Sequence, residues 1–414
     1  MSIVTPADYN SIVVADLLQA EVIRKKIRKT VIKQVANLKY QGDLRNKGDT
    51  VLVETFPRIW GYSGGTPGST ITRKPFAVKE QSFPINQVMQ NGTEVKDIEE
   101  IRSNLALQSH ISSEFSDYSA QQEDQFVASM ATQAYSANKL NDKNPLTLAA
   151  GNTYSAITGL SRVLGEANAF NTKALFIDNA IYERLKLEDV LDSTDLGLQM
   201  RLNGQITTID GFKLLLTNNL PHVRVLTLDT NPANTETFLL TGKEQDVTTV
   251  EGYKDRVVTF TIVTNGTAAN PGEISLGGSL AVTQAIIIDA INGTGTPGAS
   301  TYIELALADR QALQNALIKV PNTAFDAAEK ITIQSAGDLD PSETFGDVTN
   351  IFGADAVLMF ATDMEAINFV AQMDQIKVTD QEGGFSTNIL QEKVYDGIVL
   401  DENNKGLATR EIAV

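Results

Sequence analysis

A chain of 414 residues with no cysteine cannot build disulfides, zinc ribbons or thiol catalysis. Its two histidines, His110 and His222, lie far apart, which argues against a histidine metal site or triad. The net charge of −17 is unevenly spread: residues 21–47 hold nine Lys/Arg against Glu21 and Asp43. A basic arm on an acidic body can dock onto neighbouring copies or face nucleic acid. A solvated helix face is the alternative reading of the same charges.

The first residues lack a basic n-region and an apolar h-region, and no apolar run reaches transmembrane length. The expectation is a soluble, non-exported chain without membrane contact. Hydrophobic content of 42% suffices for real cores. Residues 17–39 read as a basic, thinly apolar helix that packs on a larger body or another subunit. Arg24, Lys25, Lys26, Arg28, Lys29 and Lys33 are its candidate contacts.

From residue 48 the period changes. Residues 50–59 read as a strand, and residues 71–88 return as extended chain, with Pro75 and Pro84 excluding central-strand positions. Between them lies a tip with Gly61, Gly64, Gly65, Pro67 and Gly68. An isolated two-stranded ribbon is marginal in water, so this arm points to a partner chain. Trp60, at the foot of the tip, is either an anchor on a neighbour or packs on its own strand.

Residues 96–135 read as one long amphipathic helix. Ile98, Ile101, Leu105, Ile111, Phe115, Tyr118, Phe126 and Met130 form its stripe, and Asp97 with Glu100 offers a capping box. No Pro or Gly interrupts residues 93–140. His110 sits beside the stripe as a packed or surface residue.

After a loop at 141–151, the pattern predicts a helix at 154–166, a buried strand at 173–178 and a helix at 179–191. A hairpin at 204–221 turns at Asp210-Gly211, and strands follow at 223–229 and 237–241. In residues 241–345, strands are expected at 257–263, 280–288, 302–307 and 330–334, with a helix at 309–318. Asn265-Gly266 and Asn292-Gly293 are hairpin signals. Residues 355–373 read as an Ala-rich helix and 389–400 as extended chain.

The order of these features resembles the tailed-phage major capsid proteins of the HK97-like fold. The matching run is the basic arm, Lys47-Gly48-Asp49 opening a glycine-tipped loop, the long helix, and Asn203-Gly204-Gln205. Ile209-Asp210-Gly211-Phe212-Lys213, Asn218-Asn219-Leu220-Pro221 and the closing 355–400 segment complete it. It covers residues 1–240 and 346–414. It implies an α+β architecture: an N-terminal arm (1–46), an extended loop with peripheral strands (47–92), a spine helix (93–140), an axial domain (141–240 and 346–414, the latter ending in peripheral strands), and an inserted β-rich domain (241–345).

The resemblance implies a structural, non-enzymatic protein without cofactors or metal. It assembles as hexamers and pentamers into an icosahedral shell around double-stranded DNA, in the virion after assembly in the host cytoplasm. Partners are other copies, DNA bound non-specifically, and scaffolding, portal and decoration proteins. Inter-subunit residues would be Trp60, Gly61, Gly64, Gly65, Pro67, Gly68, Arg73 and Lys74 on the loop. The spine core would be Ile98, Ile101, Leu105, Ile111, Phe115 and Phe126. Some relatives crosslink a Lys to an Asn with help from a Glu. Lys74 and Lys79 could supply the amine, but no Asn and Glu can be assigned, so non-covalent assembly is expected. A tail, baseplate or surface-lattice subunit is the alternative. The inserted domain could stabilise the capsomer, decorate the outside or bind a host surface.

Three motifs fail their context tests. Gly293-Thr294-Gly295-Thr296-Pro297-Gly298 fits a dinucleotide loop, but Pro297 removes a donor and no helix is expected to open there. The Asp338 segment has Glu343 where a calcium loop needs Gly and Thr349 where it needs Glu. The Asn-Gly-Thr sequons at Asn91, Asn265 and Asn292 read as turns.

Overall fold

The computed structural model describes residues 30–40, 50–55, 78–85, 87–96, 107–149, 151–169, 172–188, 208–246, 252–321, 330–337, 339–380, 386–400 and 404–413. The chain divides into two compact units. One comprises Met1–Arg28, Asn37–Gln122 and Asn368–Glu402, the other Lys29–Ala36, Glu123–Ile367 and Asn403–Val414.

In the first unit, strands β1 (Thr50–Thr55) and β2 (Lys79–Pro84) form an antiparallel ribbon, with Thr55 opposite Lys79. Strands β3 (Gln87–Lys96), β17 (Ile367–Asp380) and β18 (Ser386–Val399) form a three-stranded sheet with β18 in the centre. The β3–β18 ladder is antiparallel over ten pairs, from Gln87 opposite Tyr395 to Lys96 opposite Ser386. Strand β18 alternates from Ile389 to Lys393, burying Ile389, Gln391 and Lys393 and leaving Leu390 exposed, and then buries both Val394 and Tyr395. The apolar cluster holds Val53, Ile85, Val370, Val394 and Leu400, with Tyr40 and Ile398 against it.

This ladder corrects the start of the expected long helix. Residues 93–96 are strand, because ten paired positions outweigh local helical spacing. Helix α1 spans Leu107–Ser129 and gives way to a 3-10 turn, Met130–Gln133. Ser129 Oγ donates to the Phe126 carbonyl at 2.7 Å, and Thr132 Oγ1 to the Ser129 carbonyl at 2.8 Å. Hydroxyls bonding back to carbonyls three residues earlier compete with the helical ladder where it stops. Asp97 and Glu100 lie outside the described residues.

The second unit is built on a ten-stranded mixed sheet. Its main path runs β13 (Lys330–Ser335), β9 (His222–Thr227), β16 (Ala356–Asp363), β6 (Lys173–Ile177), β8 (Phe212–Leu216), β7 (Thr208–Ile209). Strand β19 (Leu407–Ala413) pairs with β16 and with the short β4 (Lys139–Leu140) and β5 (Leu146–Thr147). Strand β15 (Ile351–Phe352) pairs with β9. The β7–β8 hairpin turns on Asp210 (φ 47°) and Gly211 (φ 80°), as expected for a two-residue turn with positive φ at both positions.

Every residue of β16 is buried, and Phe360 stacks on Phe176 with centroids 4.7 Å apart. This overturns the Ala-rich helix expected at 355–373, which is instead β16, a turn and the start of β17. A strand covered on both faces shows a continuous apolar run with no alternation, and Ala supplies no strand signal.

Helix α2 (Thr153–Glu166) lays Ala156, Ile157, Leu160, Val163 and Leu164 on the sheet. Its N-terminus is capped from a distance: the Glu188 carboxylate accepts the backbone N–H of Thr153 and, at 3.2 Å, that of Tyr154. Helix α3 (Asn179–Lys186) adds Ile181, Tyr182 and Leu185 to the same core.

A four-stranded sheet runs β12 (Glu273–Ser275), β11 (Tyr253–Val263), β10 (Thr237–Gln245), β14 (Ser342–Glu343). Helices α4 (Leu280–Asn292) and α5 (Leu307–Asn315) belong to the same region. Phe238, Phe260, Ile287 and Leu313 share one apolar cluster with Leu226, Ile331 and Ile333 of the large sheet. The segment is therefore not a separate body. The small sheet begins at Thr237, before residue 241, and the strand at 330–335 pairs with β9 in the large sheet.

Four further expectations are corrected here. Residues 280–288 are helical: Thr283, Gln284, Ile286, Ile287, Ile288, Ala290 and Ile291 are all buried, so no polar face marked the 3.6 period. Asn292-Gly293 ends that helix with Gly293 at φ 69°, while Arg310 donates to the carbonyls of Ala290 (2.8 Å) and Ile291 (2.6 Å). Asn265-Gly266 is a turn between parallel strands, not a hairpin, and residues 302–307 form no strand: Tyr302 bridges Ile274, Ile303 bonds the backbone of Gly272 and Glu273, and Leu307 opens α5.

Candidate assembly determinants

The arm is fixed to the second unit at an acid on α1. Asp124 is 0% exposed. Its Oδ1 accepts the backbone N–H of Val31 at 3.0 Å and of Lys33 at 2.9 Å. Its Oδ2 accepts Asn219 Nδ2 at 2.8 Å. Burial pushes the Asp124 carboxyl above its usual range, opposed by these hydrogen bonds. One carboxylate thus joins three stretches distant in sequence. Beside it, Lys33 pairs with Glu123.

This geometry gives the Asn218-Asn219-Leu220-Pro221 phrase a physical role. Asn219 reaches Asp124, Asn218 Oδ1 accepts Asn179 Nδ2 at 2.7 Å, and the Pro221 carbonyl accepts the Leu358 N–H at 2.9 Å. Leu220 is buried.

The expected arm helix is corrected over its described part. Residues Ile32–Val35 form a 3-10 turn, with Val31, Ile32 and Val35 buried. Asn37 makes a parallel bridge to Asn368. Bonding to Asp124 takes up N–H groups that a continuing helix would use. Lys33 pairs with Glu123 of its own chain, in keeping with packing on the body, one of the two placements the sequence left open. Arg24, Lys25, Lys26, Arg28 and Lys29 lie outside the described residues.

The loop residues Trp60, Gly61, Gly64, Gly65, Pro67, Gly68, Arg73 and Lys74 also lie outside them, while the ribbon that frames the loop is present in β1 and β2. Leu52, on that ribbon, is 57% exposed. Of the spine residues, Phe126 is buried, Ile111 and Phe115 are half-buried, and Ile98, Ile101 and Leu105 are outside the described residues. Tyr118 is exposed, so it does not belong to the buried stripe.

Glu123 and Asp124 were not singled out from sequence, and Asn219 entered only as part of the 218–221 phrase. A signal existed: Ser119, Glu123, Phe126 and Met130 repeat at helical spacing and are all buried, so an acid sat on the apolar face.

Among the described residues, no group of three or more His or acidic side chains could hold a metal. No helix among them is long and apolar enough to cross a membrane. The Gly293–Gly298 motif follows helix α4 instead of opening one, so it offers no helix N-terminus to a pyrophosphate; nor is it the expected hairpin turn. His222, unassigned from sequence, bonds Asp355 through Nδ1 at 2.8 Å.

No protein-family model matches the chain, and no curated protein matches it. Solved structures do. "Mycobacterium phage Che8" is similar over 95% of this chain and 94% of that one, with a TM-score of 0.53 at 12% identity. "Capsid structure of the Cyanophage P-SCSP1u" is similar over 95% and 91%, with a TM-score of 0.50 at 12% identity. The chain has the α+β, HK97-like fold of tailed-phage capsid proteins.

Proposed function

We propose that the chain is the major capsid protein of a tailed phage. Copies assemble as hexamers and pentamers into an icosahedral shell that encloses double-stranded DNA. The observation that carries this reading is the likeness over 95% of the chain to a structure titled as a capsid. The role is structural, not catalytic. The partners are other copies first, then packaged DNA held non-specifically, with scaffolding, portal and decoration proteins around them. Assembly takes place in the host cytoplasm and the product is the virion.

The mechanism is collective. The ribbon β1–β2 carries the loop 56–77 towards a neighbour, and Trp60, Gly61, Gly64, Gly65, Pro67, Gly68, Arg73 and Lys74 make the contact. Arg24, Lys25, Lys26, Arg28 and Lys29 make a second, electrostatic one. Each contact is small, but every subunit makes many at once. The acidic composition suits an inner wall that does not hold phosphates tightly.

Deleting residues 61–69 tests the loop's part. The expected product is a folded chain, with an unchanged far-ultraviolet circular dichroism spectrum, that sediments as small species. Shells of normal size from the deletion would remove the loop from the mechanism.

A further inference from the structure

Strand β19 meets β4 and the turn that follows around a cavity of about 30 Å³. Its walls include Thr409 and Glu411 of β19, Lys139 of β4, Thr332 of β13 and Thr132. The volume is that of about one water molecule. Two polar atoms in these walls find no protein partner: Glu411 Oε2 and Thr332 Oγ1. They come from different strands, and Glu411 is 3% exposed. A buried carboxylate oxygen without a donor is costly when charged and far less so as the neutral acid.

The charged neighbours are few. From β4 comes Lys139, whose ammonium is pushed down by burial, and from the next turn come Asp142 and Lys143. Lys330 of β13 turns to the Lys143 carbonyl (3.3 Å) and Asn144 Oδ1 (3.0 Å). Arg410 points elsewhere, donating to Asn141 Oδ1 at 2.9 Å and the Ala156 carbonyl at 2.7 Å. Leu358 of β16 and Val223 of β9 close the cavity with apolar atoms. The turn is backbone-strained: Asn141 and Lys143 both lie in the left-handed region, at φ 59° and 60°.

We propose that this cavity is a proton-controlled latch between the C-terminal strand β19 and the turn at 139–147. With the proton on Glu411, the cavity is neutral at that wall and the strained turn stays seated. Loss of the proton places a charge there that recruits water and loosens the β4–β19 pairing.

The electrostatics agree in direction. Burial pushes the Glu411 carboxyl from its ordinary 4.5 up to about 8; Asp142 adds to the rise, while the Lys143 N–H, Lys139 and Lys143 oppose it. Between those two values the folded state keeps a proton that the unfolded state has released. Stability therefore falls as pH rises through that window and levels off above it, the reverse of a salt-bridged carboxylate. One retained proton changes the unfolding constant by up to about tenfold per pH unit.

The latch stands apart from the shell reading, because its readouts come from the full chain whether or not it forms particles. Thermal midpoints of the wild type and Glu411→Gln, measured from pH 5 to pH 9, are expected to diverge. The advantage of the Gln variant should grow up to about pH 8 and then hold constant. A gap that does not change with pH overturns the latch. If the variant does not fold, infrared spectra of the wild type decide instead. A protonated-carboxyl band present at pH 6 and lost above pH 8, together with faster amide exchange at 139–147 and 407–413 after correction for intrinsic rates, is the expected result. Absence of that band at pH 6 overturns the proposal.

Discussion

The two units differ in how many apolar side chains they cluster among the described residues. Among the described residues, the first unit's apolar cluster comprises Val53, Ile85, Val370, Val394 and Leu400, while the second unit holds two clusters that each bury about four times as many side chains. In the first, the centre of β18 is partly polar, with Gln391 bonded to Asn91 at 3.1 Å and Lys393 to Ser119 at 3.3 Å. In the second, Phe238 stacks on Phe260 at 4.8 Å and α4 buries Thr283, Gln284, Ile286, Ile287, Ile288, Ala290 and Ile291. Burying a large apolar side chain contributes roughly 1.5–3 kcal/mol. Among the described residues the second unit therefore has the larger apolar clusters, but both units leave large apolar side chains exposed, Leu52, Val88 and Leu390 in the first and Leu187, Leu307 and Val348 in the second.

The contrast can be broken most severely in the second unit. Phe260→Ala removes a fully buried ring from the cluster shared by both sheets, and about 3–5 kcal/mol of stability should go with it in denaturant unfolding. A loss below about 1 kcal/mol would mean that this core does not hold the unit together. Asp124→Ala should cost about 2–3 kcal/mol, because it strands the N–H groups of Val31 and Lys33 and the Asn219 amide. Limited proteolysis should then cut near residues 30–36 first, and an unchanged cleavage pattern would deny Asp124 its role as the arm's anchor.

Gly293→Ala should cost about 1 kcal/mol, since φ 69° is unfavourable for an L residue and the new Cβ would lie 2.9 Å from Arg310. Leu390→Ser in the first unit sharpens the comparison from the other side. At 47% exposure it should change unfolding by less than about 0.5 kcal/mol. Its effect should appear in assembly yield, measured by sedimentation, and a large unfolding effect would show that the face is not free for a partner.

What could be read from sequence follows the same physical divide. Helix α2, the Asp210-Gly211 hairpin, the ribbon strands and β18 announce themselves through one-sided burial or turn chemistry. Helix α4 and strand β16 do not: β16 is buried throughout and α4 is apolar even where exposed, at Ala281 and Val282, so neither shows the polar face that reveals a period. The pairing of Lys330–Ser335 with β9 joins residues about a hundred positions apart, and no local pattern encodes it. The 3-10 turn at Ile32–Val35 depends on Asp124, more than ninety residues away, so the arm's basic residues suggested a helix that the tertiary bonds replace.

The proposed function turns on copies of the chain assembling with one another. Electron microscopy of the expressed full chain, without added partners, tests that most directly. Closed polyhedral particles of uniform size, or rings of five and six subunits, are the predicted result. Open tubes, flat lattices or a stable monomer at high concentration would contradict it.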